Sequence, residues 1–324
     1  MKTKLLGRTG ISVSELCFGT MSFGGDADEP TAAAMYKACR DVGINFFDSA
    51  NEYNKGKSEE ILGRLTKSHR DELVITTKCF NPTGPDVNAR GANRRHVVQA
   101  VEASLRRLQT DRIDVLFLHR FDSATPIEEM MRALEDVVRT GKVIYPAVSN
   151  WSAWQTQAAL DAQKRHGWAR LQVTQPMYNL VKRQAEVEIL PMAEANGVGV
   201  IPYSPAGAGL LSGKYLGQAS GRLKTNKMYE ARYGAPWMFE VAEKYVGFCK
   251  KRGLHPVSTA IAWVAAHKAV TAPIIGARNL DQLKDSLASI KVDMTPQLRA
   301  EIAELSRTPP PATDRLEEQR VAAL

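Results

Sequence analysis

Apolar residues along this chain fall into two alternating spacings. Compact runs rich in β-branched and aromatic residues end on a glycine or a polar residue, and stretches with apolar positions every three or four residues follow them. The compact runs predict strands at residues 16–19, 44–47, 73–77, 113–118, 143–148, 171–174, 198–202 and 272–275. Helical spacing predicts helices over 31–42, 94–108, 127–138, 153–166, 187–195, 239–252, 258–267 and 280–289, with one more opening at Ser58 as its N-cap. Eight strand–helix units predict an α/β fold, a single-domain (β/α)8 TIM barrel. An open doubly wound sheet is the alternative, but Gly19-Thr20-Met21-Ser22-Phe23-Gly24 lacks the middle glycine of a dinucleotide fingerprint. The rhythm breaks after the seventh strand, where Ser204 to Pro236 reads as a long Gly-, Lys- and Arg-rich loop. Pro296 to Ser306 predicts an extra C-terminal helix. The barrel is expected over 1–308, and a charged tail over 309–324, opening with Pro309-Pro310-Pro311.

In such a barrel the C-terminal strand ends share one mouth. The residues there are Gly19, Asp48, Lys78, His119, Ser149-Asn150, Gln175 and Tyr203, with Tyr53 in the loop after Asp48. Singly each has an ordinary explanation: Asp48 caps a helix, Lys78 is a solvated strand end, His119 packs at a rim. Jointly they suit protonation of a carbonyl oxygen. A phenol with a pKa of about 10 exchanges protons poorly near neutrality unless a cation stabilises its anion. Lys78 can supply that cation, Asp48 can hold Lys78 charged and oriented, and His119 can donate a second hydrogen bond or relay a proton to Tyr53. The same lysine, beside an acid and a phenol, also fits a lyase working through a Schiff base. No Gly-x-Ser-x-Gly elbow and no metal-ligand spacing stands out.

Carbonyl reduction needs a hydride donor that side chains cannot provide. Ser149, Asn150 and Gln175 could bond a carboxamide, and Tyr203 could stack on a flat ring. The stretch Pro205 to Lys214, which includes Gly209, offers bare backbone amides and a lysine for a pyrophosphate. It is not a P-loop: its glycines are one residue too far apart, and Tyr215 stands where Ser or Thr is required.

Charge narrows the partners. A net charge of +8 on 324 residues is scattered, without interleaved aromatics, which points to an anionic small molecule rather than nucleic acid. No run of transmembrane or signal-peptide length is present, so neither a membrane span nor secretion is expected. Cys17, Cys39, Cys79 and Cys249 form no Cys-x-x-Cys pair and read as reduced thiols of a cytoplasmic protein.

From Leu6 to about Ser289 the chain resembles the aldo-keto reductase family. The resemblance lies in Phe47-Asp48-Ser49-Ala50-x-x-Tyr53, Gly56-x-Ser58-Glu59-x-x-Leu62-Gly63, Thr77-Lys78, Leu118-His119, Ser149-Asn150, Tyr203-Ser204-Pro205 and Ile275-Gly276-Ala277-Arg278. It implies a catalytic set of Asp48, Tyr53, Lys78 and His119. It also implies NADPH, less often NADH, held without a Rossmann fold. The nicotinamide would meet Ser149, Asn150, Gln175 and Tyr203, and the adenosine and 2′-phosphate the segment Gly276 to Ser286. The full cofactor set adds Gly19, Thr20, Met21, Asp48, Ser204, Pro205, Gly209, Lys214, Arg278 and Gln282, with Arg278 suited to grip the 2′-phosphate. Three positions depart from the family pattern: Ala206 replaces a common Leu, and Asp285-Ser286 replaces the usual Glu-Asn pair. Phe23, Phe80, Arg120 and Trp151 are the expected walls for a small carbonyl or alcohol substrate. The alternative function is that of a redox-sensing barrel similar to potassium-channel β-subunits.

Overall fold

The computed structural model describes residues 1–217 and 221–317. Its strands are β1 (Thr3–Leu5), β2 (Ser12–Ser14), β3 (Cys17–Gly19), β4 (Phe46–Asp48), β5 (Val74–Cys79), β6 (Ile113–Leu118), β7 (Val143–Ser149), β8 (Val173–Gln175), β9 (Gly199–Val200) and β10 (Ile274–Ile275). Its helices are α1 (Glu29–Asp41), α2 (Lys57–Thr66), α3 (Arg94–Leu108), α4 (Ile127–Arg139), α5 (Ala153–His166), α6 (Ile189–Asn196), α7 (Arg222–Thr225), α8 (Lys227–Tyr233), α9 (Pro236–Lys251), α10 (Pro256–Ala265), α11 (Leu280–Leu287) and α12 (Pro296–Glu304).

Strands β3 to β10 form one parallel sheet in the order β10-β3-β4-β5-β6-β7-β8-β9. Its two edges meet. The Ile274 N–H donates to the Pro202 carbonyl at 2.9 Å and the Thr271 N–H to Val200 at 2.8 Å, closing the ring into a (β/α)8 barrel. Strand side chains alternate, and here the alternation separates two cores. Phe46, Val74, Val115, Phe117, Ala147, Val173 and Ile201 pack inside the barrel. Their neighbours Phe47, Ile75, Leu116 and Val148 join the larger core under the helices.

The sequence gives no sign of the antiparallel hairpin β1–β2, whose strands are three residues each. It brings Leu6 and Val13 into the barrel core, with Ile11 packed against it. Gly7 sits in the hairpin at φ +56°, and a Cβ there would lie 2.7 Å from the Gln172 carbonyl oxygen and 2.8 Å from the Gly199 nitrogen. Backbone cannot retreat as a flexible side chain can. Gly7→Ala is expected to cost about 1–3 kcal/mol through overpacking and strain, read as a lower thermal unfolding midpoint. An unchanged midpoint would mean that the hairpin does not press on the barrel.

Two further expectations need correction. Ser58 is not the cap of α2. Gly56 occupies that position in the left-handed region, and Ser58 lies buried in the first turn, donating to the Thr20 carbonyl at 2.8 Å. The segment after β9 is more ordered than its composition suggests. It holds a 3-10 turn at Gly207–Ser212 and the helices α7 and α8. Asn226 caps α8 by accepting from the Met228 N–H, and Tyr229 and Tyr233 are buried one turn apart. The extra C-terminal helix is α12. The last part of the expected charged tail, 318–324, lies outside the described residues. No described helix is long and apolar enough to cross a membrane.

Candidate active site

Stepping by two along each inward strand face leads from a core residue to a polar one: Phe46 to Asp48, Phe117 to His119, Ala147 to Ser149, Val173 to Gln175, Ile201 to Tyr203. On β5 the step runs from Val74 through Thr76 to Lys78. The barrel thus changes from apolar to polar within about two residues of its C-terminal end, as strand periodicity requires.

Lys78 is fully buried there. Its ammonium donates to Asp48 Oδ2 at 2.5 Å and to the Ser49 carbonyl at 2.6 Å, and stands 3.4 Å from the Tyr53 hydroxyl. The other Asp48 oxygen accepts from Thr76 Oγ1 at 2.6 Å and from Gln175 Nε2 at 3.0 Å. Gln175 therefore braces the acid as well as facing the cavity, a double duty that strand-end position alone does not reveal. Burial pulls the Lys78 pKa down, but the Asp48 charge and the bonds to Asp48 and Tyr53 leave it above its ordinary 10.5. This lysine is a fixed cation.

Tyr53 differs from the expectation. Burial raises its pKa above 10.0, and Lys78 lowers it only in part, with Asp48 and Glu52 opposing. At neutral pH the group is a neutral phenol with its proton in place. His119 lies edge-on to the Tyr53 ring, with centroids 6.1 Å apart. Burial first, then the charges of Lys78, Arg120 and Arg232, push the His119 pKa well below 6.5, so the imidazole is uncharged. Its Nδ1 is buried 3.3 Å from Glu52 Oε1 without forming a hydrogen bond. Asn81 Nδ2 donates to the same Glu52 oxygen at 2.5 Å.

Asn150 adopts a left-handed φ of +59°, which turns its amide across the mouth. Its Nδ2 donates to the His119 carbonyl at 3.0 Å, and its Oδ1 accepts from the Tyr203 hydroxyl at 2.7 Å. Ser149 Oγ donates to the Gln175 carbonyl at 3.0 Å.

These groups open into a cavity of about 870 Å³, within the size range of ligand sites. Of the sixteen residues expected around a dinucleotide, fifteen line it: Gly19, Met21, Asp48, Ser149, Asn150, Gln175, Tyr203, Ser204, Pro205, Gly209, Lys214, Gly276, Arg278, Gln282 and Ser286. Thr20 does not. It is buried, with its hydroxyl donating to the Asp48 carbonyl at 3.1 Å, and so supports the strand end. Among the expected substrate walls only Arg120 faces the cavity. Phe23 packs on Phe18 in the core because the turn after Gly19 folds it inward. Trp151 is buried with its ring edge against Phe121, and Phe80 packs on the same core. Spacing marks where such a ring leaves the chain, not which way it turns.

The lining also includes Glu52, Asn81, Met228, Tyr229 and Arg232, and Asp285 from the segment expected to meet the adenosine. For those of α8 a signal existed, since the Asn226 cap and the helical spacing of Tyr229 and Tyr233 mark a short amphipathic helix.

A dinucleotide fits this cavity. Positive φ at Gly207, Ala208 and Gly209 curls the Gly207–Ser212 turn so that Ala208, Gly209, Ser212 and the Lys214 cation line the cavity together. A Cβ on Gly209 would come within 2.9 Å of Lys214 Cε, so the bare glycine lets the lysine lie along that turn. At another part of the wall Arg278 lies 3.4 Å from Asp26, an ion pair that the sequence did not suggest. Among the described residues no group of His, Cys, Asp or Glu could hold a metal ion.

Residues 15–307 match the model of the Aldo/keto reductase family. Over 311 residues the chain is 38% identical to the oxidoreductase YrpG of Bacillus subtilis, spanning 92% of this chain and 94% of that protein. It is 36% identical over 302 residues to a probable voltage-gated potassium channel subunit beta of Arabidopsis thaliana, spanning 90% and 92%. It is 32% identical over 327 residues to versiconal hemiacetal acetate reductase of Aspergillus parasiticus, spanning 92% and 94%.

Proposed function

The chain belongs to the aldo/keto reductase family, and from that premise we propose that it is an NADPH-dependent oxidoreductase interconverting an aldehyde or ketone with its alcohol. The observation that carries the reading is a neutral buried phenol 3.4 Å from a fixed ammonium, at the wall of a dinucleotide-sized cavity. When bound, the reduced nicotinamide supplies the hydride. The Tyr53 hydroxyl gives its proton to the carbonyl oxygen, and the adjacent Lys78 ammonium stabilises the phenolate left behind. Asp48, held by Thr76 and Gln175, keeps Lys78 charged and aimed. Neutral His119 can polarise the same oxygen by hydrogen bonding, without competing as a charged acid. Lys214, lying along the Gly207–Ser212 turn, would hold the pyrophosphate, and Arg278 the 2′-phosphate, exchanging Asp26 for it. NADH, which lacks that phosphate, would bind more weakly.

The reading is tested by following NADPH oxidation over a panel of aldehydes, diketones and sugars, alongside quenching of bound-NADPH fluorescence. Failure to bind NADPH would end it. The pH profile adds a second check. His119 titrates well below 6.5 and Tyr53 above 10.0, so kcat/KM for reduction is expected to be flat from about pH 7 to 9. It should fall as pH rises through the Tyr53 value, where the donor proton is lost. An inflection near 6.5 would show that a charged His119 takes part.

The potassium-channel relative supports a second reading, a barrel that keeps its cofactor as a redox sensor. Slow turnover on every carbonyl tried, with NADPH that survives dialysis, would favour it. Schiff-base chemistry is not proposed, because an amine held protonated by Asp48 is a poor nucleophile.

A further inference from the structure

Two guanidinium groups on the cavity wall have no part in the chemistry above. Arg120 follows His119 directly beyond β6, and Arg232 lies in α8. Both line the same cavity as Tyr53 and His119. Among the described residues neither forms an ion pair, although most arginines of this chain do. The Arg232 guanidinium carbon instead stands 5.8 Å from the centre of the Tyr229 ring.

Their charges reach the reacting end of the cavity. After burial and Lys78, Arg120 and Arg232 are the groups that depress His119. At Tyr203 both oppose the upward pull of burial, and Arg232 also lowers Lys182, a further cation nearby. The acid on this wall, Glu52, accepts from Asn81 and faces His119, and forms no ion pair with either arginine. Around the carbonyl position the cations Lys78, Arg120 and Arg232 thus outnumber the carboxylates Asp48 and Glu52, and Asp48 is already paired with Lys78. A planar guanidinium facing a partly desolvated cavity favours an anion that can take two hydrogen bonds at once.

We propose that the substrate is a carbonyl compound bearing a carboxylate or another fixed anionic group, held by Arg120 and Arg232. The proposal rests on the carbonyl-reductase reading and adds the substrate class to it. The phosphates of the dinucleotide are the competing anions, and for them Lys214 and Arg278 are already available.

Matched substrates separate these possibilities: 4-carboxybenzaldehyde and its methyl ester share ring and carbonyl and differ in one charge. The acid is expected to exceed the ester in kcat/KM by about tenfold or more, mostly through KM, as one charge-assisted bidentate contact provides. Arg232→Met and Arg120→Met should each shrink that acid-to-ester ratio several-fold, and Arg232→Lys should recover part of it. High salt should shrink it too. Equal kcat/KM for acid and ester in the unaltered protein would overturn the proposal, with the reductase reading intact. So would variants that weaken NADPH binding, followed by fluorescence, while leaving the ratio unchanged, because the arginines would then belong to the cofactor. If neither compound is reduced although other aldehydes are, the proposed substrate class is wrong. If no carbonyl is reduced at all, the reductase reading falls and the proposal falls with it.

Discussion

Tyr53→Phe is expected to lower kcat for carbonyl reduction by about 10²–10⁴-fold, the range typical of losing a positioned general acid. NADPH affinity should stay close to that of the parent, because the ring remains and only the hydroxyl goes. The hydroxyl bonds to Lys78 at 3.4 Å, a long contact whose loss leaves the ammonium with its shorter bonds to Asp48 and Ser49. The fold should therefore be little affected. Single-turnover kinetics with saturating NADPH, paired with a fluorescence titration, distinguishes the outcomes. A variant that turns over near the parent rate would remove Tyr53 from the mechanism and send the search for the proton donor to His119.

The second large effect lies one bond deeper. Lys78→Met should abolish turnover and also cost about 3–5 kcal/mol of stability, because it strands the buried Asp48 carboxylate without its cation. Thr76 and Gln175 would still donate to that carboxylate but cannot neutralise it. Replacing both partners, Asp48→Asn with Lys78→Met, should restore most of the stability and none of the activity. Thermal unfolding and turnover of the parent and the two variants check this. A double variant as unstable as the single one would show that packing, not charge, is at stake. The pH dependence has a definite sign. The folded-state pKa of Lys78 is raised, so its contribution is fully present below about 10.5 and is lost as pH rises through the higher folded value. The parent should lose stability in strong base faster than the double variant.

Much of this was readable along the chain because strands have a period of two. Once Phe46, Val74 and Val115 are placed inward, Asp48, Lys78 and His119 must follow them to the same face. Helices α3 and α5 and strand β6 fall on the residues their patterns predict, since each is a long segment with a clear stop. What stayed hidden has physical reasons. The β1–β2 hairpin is held by packing on the barrel floor, and three-residue strands are too short for a pattern. The α8 helix is concealed in polar sequence because its apolar face is only two tyrosines wide. Phe23 and Trp151 sit beside the mouth in sequence and in the core in space. The bond between Gln175 and Asp48 joins residues 127 apart, and no local pattern encodes it.

That long-range bond also bears on how the molecule comes to be active. The proton donor and its supports are drawn from β4, β5, β6 and β8, and the ring is sealed only where β10 meets the end of β9. Contacts so distant along the chain are slow to form, because the entropy of closing large loops is lost before they can compensate. A partly folded intermediate could carry native α3, β5 and β6 and still lack a braced Asp48. During refolding, recovery of helical signal should therefore precede recovery of catalysis, and the newly made chain gains its chemistry in the last step of assembly.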